Sequence, residues 1–204
     1  MSTLTASPVL AAQGGSFLLE TRTPAEIFTF EDLSEEQRQI AATAAQFARE
    51  EILPAAAAVE AKEPGEMAAL LRKAAGRGFT AVDVPDEYGG LGMEKVTSMV
   101  ITDQISVLAS FSTAFGAHVG IGSLPIVFFG NDEQKRRYLP KLATGELIAA
   151  YALTEAGSGS DALAAKTTAV EDGDFWVLNG VKQWITNAGF ADVFTVFAKV
   201  NGEK

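Results

Sequence analysis

The chain has 204 residues, no cysteine, a single histidine and a formal net charge of −10. These numbers exclude disulfides, thiolate chemistry and cysteine-based metal sites, and leave little room for a multi-histidine metal centre or a histidine-based triad. The acidic balance argues against nucleic acid as a partner, because phosphate binding needs a basic surface. With 48% hydrophobic residues the chain can bury a core, as one large domain or a domain and a fraction.

The first positive side chain is Arg22, so no basic segment precedes an apolar one in the manner of a secretion signal. Residues 1–16 are small and polar-leaning and are expected to be mobile. Phe17, Leu18, Leu19, Ile27, Phe28 and Phe30 supply apolar anchors in a non-helical arm, 1–30. Ser34 to Gln37 reads as a capping box, and Ile40, Ala44, Phe47 and Ala48 share one helical face until Pro54 kinks or restarts the helix. A second helix opens near Pro64, with Met67, Leu70, Leu71 and Ala74 on one stripe and Gly76 and Gly78 at its end. Pro85, Gly89, Gly90 and Gly92 mark 83–92 as a loop, read as a structural connector ahead of a ligand contact. A third helix comes next, over 95–108.

Between residues 104 and 131 there is no Asp, Glu, Lys or Arg. That length suggests a membrane helix, but Ser106, Ser110, Ser112, Thr113, Ser123 and Pro125 suit a buried helix pair better, and no membrane span is expected. Gly116 and Gly120 let something approach the backbone closely, either a neighbouring helix or a long ligand. His118 reads as a satisfied core histidine without a chemical role. Asn131 to Gln134 is a second capping box, opening a helix through Leu142 with Lys135, Arg136, Arg137 and Lys141 as a basic, solvated face.

From Ile148 the period becomes strand-like, with strands expected near 148–154, 166–171, 174–179, 182–187 and 192–200 and turns at Asp172-Gly173 and Asn179-Gly180. Trp176 is expected in the strand core. The organising stretch is YALTEAGSGSD (151–161), a strand that runs into Gly157-Ser158-Gly159-Ser160. Such a loop either turns inward N–H groups toward a phosphate or simply joins two strands. QWITN (183–187) answers it with a large flat ring and a hydroxyl side by side.

YALTEAGSGSDALAAKT (151–167), LNGVKQWITNAGFADVFTVFAK (178–199), DVPDEYGGLGM (83–93) and GNDEQKRRYLPKLATGE (130–146) together resemble the acyl-CoA dehydrogenases, the FAD enzymes of fatty-acid oxidation. The resemblance runs from about Leu33 to Lys199, and the GGSFLLE arm is similar to the bacterial long-chain branch. It implies an α+β fold: an all-α N-terminal helical domain over 31–147, then the first part of an antiparallel β-domain over 148–204, with the C-terminal helical domain absent.

By that resemblance Tyr151, Leu153 and Thr154 would border the isoalloxazine of FAD, Gly159 and Ser160 would meet its pyrophosphate, and Ser160 would also approach the pantetheine arm. Trp184 would pack on the ring beside Ile185, and Thr186 would set its hydroxyl by flavin N5. Hydrogen-bond donors there stabilise the reduced, anionic flavin. Thr113, Gly116, Ala117 and Gly120 would line the tail of a deep acyl pocket, implying a long-chain substrate. Ala156 stands where many members have proline.

The implied reaction is α,β-dehydrogenation of an acyl-CoA thioester, with electrons passed to an electron-transfer flavoprotein. The family's base is a glutamate of the C-terminal domain, so no catalytic residue is named; Glu155 lies beside the loop at a position the family does not use. The chain is accordingly expected to be an N-terminal portion of a longer, cytoplasmic, homodimeric or homotetrameric enzyme, inactive alone. A non-catalytic acyl-CoA- or partner-binding module and an acyl-CoA oxidase are the alternatives.

Overall fold

A computed structural model describes residues 15–23 and 26–202, with only the backbone of Phe17. Apart from Gly15 and Ser16, the expected mobile segment 1–16 lies outside the described residues. The chain divides between Gln39 and Ile40 into two units. In the first, Ser16–Leu18 and Phe30–Asp32 form single tight turns, and Leu18, Leu19, Phe28 and Phe30, expected as apolar anchors, are exposed. Thr29 and Asp32 cap one another reciprocally. So do Ser34 and Gln37, the Gln37 N–H donating to Ser34 Oγ at 3.1 Å and the Ser34 N–H to Gln37 Oε1 at 2.9 Å.

Helix α1 (Glu35–Phe47) begins at that cap and leads through a wide π turn, Ala48–Ile52, into α2 (Leu53–Glu60). The π turn accommodates Pro54, which has no N–H to return to the preceding turn. Helix α3 (Glu66–Gly76) buries Leu70, Leu71 and Ala74 as its stripe requires. The core that these three helices share with the segments around Phe79 and Phe111 centres on Phe47, whose ring meets Phe79 edge-on at 5.6 Å and Phe111 at 6.3 Å. The 83–92 loop is a tight connector. Its Gly90 is required sterically, since a Cβ there would fall 1.9 Å from the Val84 carbonyl oxygen.

Helix α4 (Lys95–Ile105) is rich in β-branched residues, so its stability comes from packing rather than propensity. Its Thr102 and Ser106 hydroxyls return to the carbonyls of Ser98 and Thr102 four residues earlier. Helix α5 (Ala109–Gly116), the π turn Ala117–Gly122 and α6 (Leu124–Phe129) form one 21-residue run that is long and apolar enough to cross a membrane. Phe111, Phe115, Ala117 and His118 of this run are nevertheless buried in the protein's own core. Helix α7 (Asp132–Ala143) begins at the second capping box, with the Gln134 N–H on Asn131 Oδ1 at 2.8 Å.

The β region is mixed in direction. Strand β1 (Ala149–Ala152) pairs parallel with β4 (Val193–Val196). Strand β2 (Thr168–Asp172) pairs antiparallel with β3 (Phe175–Asn179) and parallel with β5 (Lys199–Val200). The expected strand 192–200 is therefore broken in two, because the segment changes partner from β1 to β2. The Gly173 turn is as expected, with φ +61°.

Three strand expectations fail. Residues 182–187 form no strand, since Trp184 and Asn187 sit at φ +57° and +69°. Asn179-Gly180 is not a hairpin turn; Gly180 is there because a Cβ would lie 2.2 Å from Thr167 Oγ1. Trp176 is exposed rather than in a core, because β3 is an edge strand exposed at all five positions.

His118 joins the helical and β regions. Its Nδ1 accepts from the Ala149 N–H at 3.0 Å, so the proton sits on Nε2 and faces the Leu142 carbonyl at 3.2 Å. Burial lowers its pKa to about 4, against a weaker opposing pull from the Leu142 carbonyl. The unfolded chain then takes the proton first as the pH falls. Stability is full above about pH 6.5 and is lost toward pH 4, on the order of 3 kcal/mol from this group. Urea unfolding at pH 7 and at about pH 4.5 should show that loss, and His118→Gln, which cannot titrate, should reduce it.

Candidate functional site

Two segments run side by side at the end of β1. The first is the loop from Leu153 to Ser160, and the second is 182–187. The Gln183 N–H donates to the Thr154 carbonyl at 3.0 Å. Lys182 Nζ donates to the Leu153 carbonyl at 2.9 Å and to Glu155 Oε1 at 2.8 Å.

Glu155 is buried at 8% exposure and its two oxygens take four donors. Oε2 accepts the Lys166 N–H at 2.6 Å; Oε1 accepts the Thr167 N–H at 2.9 Å, the Thr167 hydroxyl and Lys182. The Lys166 N–H first, then Lys182 and Thr167, hold the carboxyl far below the usual range. It is a structural anion, with three donors on Oε1 and one on Oε2. Sequence reasoning overlooked Lys182 altogether; the signal available was a lysine four residues before the end of an apolar, aromatic run.

The loop itself is a tight reversal. Glu155 and Ser158 exchange both backbone bonds, at 3.0 and 3.1 Å, and Ser158 Oγ donates to the Asp161 carbonyl at 2.8 Å. Gly157 and Gly159 do not take positive φ. A Cβ on either would meet nothing within 4 Å, so neither backbone conformation nor internal packing calls for glycine there. Gly159 and Ser160 are exposed, Leu153 and Thr154 half-buried, and the Tyr151 ring lies 4.9 Å from that of Phe197.

Within 182–187, Trp184 is 85% exposed in a left-handed conformation that bulky residues avoid. Ile185 and Thr186 line a cleft of about 740 Å³ whose other walls include Met67, Ala68, Ser110, Ala114 and Phe190. Asn187 closes the segment: its Nδ2 donates to the carbonyls of Ala114 at 2.9 Å and Ala149 at 3.2 Å. Its Oδ1 is buried without a partner.

The proposed acyl-pocket residues do not form one surface. Thr113 is exposed and Ala117 is buried, whereas Gly116 and Gly120 line a separate groove of about 430 Å³ against Ser98, Met99 and Thr102 of α4. From the same helix, Ser110 and Ala114 face the Thr186 cleft instead.

Residues 34–146 match the model of the acyl-CoA dehydrogenase N-terminal domain, and 150–204 that of the acyl-CoA dehydrogenase middle domain. The chain belongs to the acyl-CoA dehydrogenase family. It is 55% identical over 194 residues to a probable acyl-CoA dehydrogenase of Bacillus subtilis, covering 94% of this chain and 33% of that protein. The human mitochondrial short-chain specific acyl-CoA dehydrogenase is 39% identical over 176 residues, covering 86% of this chain and 42% of the relative. Among solved structures, an acyl-CoA dehydrogenase of Bacillus anthracis complexed with FAD superimposes with a TM-score of 0.89 at 54% identity, over 95% of this chain and 33% of that one. The chain thus spans a third to under a half of these family members.

Replacing Asn187 by aspartate would set a carboxylate against the two carbonyl oxygens that its amide now serves. Asn187→Asp should cost about 3 kcal/mol or more, read as a lowered urea midpoint at neutral pH.

Proposed function

We propose that the chain supplies the helical and flavin-binding parts of an FAD-dependent acyl-CoA dehydrogenase acting on long-chain acyl-CoA thioesters. The supporting observation is the pairing of the glycine-bearing loop with an outward-facing Trp184. Gly157 and Gly159 leave open space that neither the fold nor its packing uses, as a backbone approached closely by a phosphate would. Trp184 offers a bare aromatic face beside it.

Tyr151, Leu153, Thr154, Gly159, Ser160, Trp184, Ile185 and Thr186 are the residues that would hold the cofactor. When bound, FAD supplies a hydride acceptor. Trp184 would orient its ring by stacking, and the Thr186 hydroxyl would donate a hydrogen bond to the reducible edge. Glu155 serves as an anchor rather than as a base, since its four donors hold the carboxyl far below the usual range. The base lies outside this chain, and an electron-transfer flavoprotein accepts the electrons.

A long-chain preference would require the acyl tail to reach the separate groove at Gly116 and Gly120, beside which a Cβ would touch nothing within 4 Å. Exposed Phe128 and Phe129 and the bare strand β3 are surfaces that homo-oligomer contacts or further chain would cover.

Titration of the chain with FAD should give saturable binding with quenched flavin fluorescence. Trp184→Ala should weaken that binding about tenfold and restore fluorescence, as loss of one stacking contact predicts. Absence of binding to the wild-type chain defeats the site assignment. For chain length, Gly120→Leu should weaken binding of a C16 acyl-CoA about tenfold while sparing a C4 acyl-CoA, measured by calorimetry.

A further inference from the structure

We propose that Lys182 is a positioning residue, whose ammonium ties the head of the 182–187 segment to Leu153 and Glu155 and thereby holds Trp184 in its outward, left-handed conformation. The inference rests on the flavin reading for its purpose, and on the hydrogen bonds alone for its geometry.

Trp184 is 85% exposed, so no burial of the indole keeps it in place. Its φ of +57° is one that a bulky L residue abandons when nothing constrains it. The constraint must come from the ends of the segment. At the far end, Asn187 is fixed to Ala114 and Ala149 through its amide. At the near end, the Gln183 N–H meets the Thr154 carbonyl, and Lys182 reaches past it to two further acceptors.

Lys182 is not needed to hold the loop itself. Glu155 keeps three donors from Lys166 and Thr167 without it. The Glu155–Ser158 reversal is made of backbone bonds. What Lys182 adds is the link across to the aromatic segment. Its side chain is only 11% exposed, so the link is shielded from water and salt far more than a surface pair.

The test compares Lys182→Met, which keeps the apolar stem, with Lys182→Arg, which keeps the charge and can reach both acceptors. In the methionine variant, amide hydrogen exchange over 183–187 should accelerate about tenfold or more while α3 and β2 stay unchanged, as expected for a local opening. The FAD dissociation constant should rise and the quenching of bound flavin should weaken. Arginine should restore both. Unchanged exchange over 183–187 in Lys182→Met overturns the proposal. So does faster exchange throughout the chain that arginine fails to rescue, because that would mark Lys182 as a general stabiliser of the fold. If the wild-type chain takes up no FAD while the local exchange change stands, the flavin assignment falls and the clamp remains.

Discussion

The β region is arranged around one buried negative charge. A carboxylate out of water is tolerated only when hydrogen-bond donors, charged or neutral, replace its hydration. Glu155 meets that demand by drawing in the entry to β2 through Lys166 and Thr167, and the aromatic segment through Lys182. Two stretches that are distant in sequence are thereby fixed relative to the end of β1. Gly180 belongs to the same arrangement, since it leaves room for Thr167 to sit where it can donate. The exposed groups beside this network, Trp184 with Gly157, Gly159 and Ser160, can stay bare because the framework beneath them is closed.

Local chemistry made much of the helical part legible. Ser34 with Gln37 and Asn131 with Gln134 are self-contained signals, as each cap is closed by residues three apart. The stripe on α3 is likewise a property of its own periodicity. The 182–187 segment was misread because its apolar, β-branched run looks like a strand, whereas its conformation is imposed by bonds to Leu153, Thr154, Ala114 and Ala149. Lys182 would look like any solvent-facing lysine to a reader without those partners. Trp176 was misplaced for the opposite reason: the pattern of β3 predicts a covered face, and its only neighbour within the described residues is β2.

The division of α5 between two cavities follows from ordinary helical spacing. Ser110 and Ala114, four residues apart, share one face of α5, whereas Gly116, two residues further on, points to roughly the opposite one. The widened turn over Ala117–Gly122 carries that second face on, so Gly120 also lies opposite α4. Between the two faces the buried His118 meets Ala149 and seats β1 on the helices.

The segment 193–200 pairs first with β1 and then with β2, in parallel both times. Parallel partners cannot be joined by a tight turn, and β1 waits 44 residues from Ala149 to Val193 for its neighbour. The helical elements precede the β region in the chain and can condense while it is still being made. The β region cannot close until its last strand has emerged, because loop-closure entropy must be overcome before those pairs contribute. Until then the glycine-bearing loop and the aromatic segment hang unjoined from an already folded helical part, so among the described residues the site acquires its shape after the helices do.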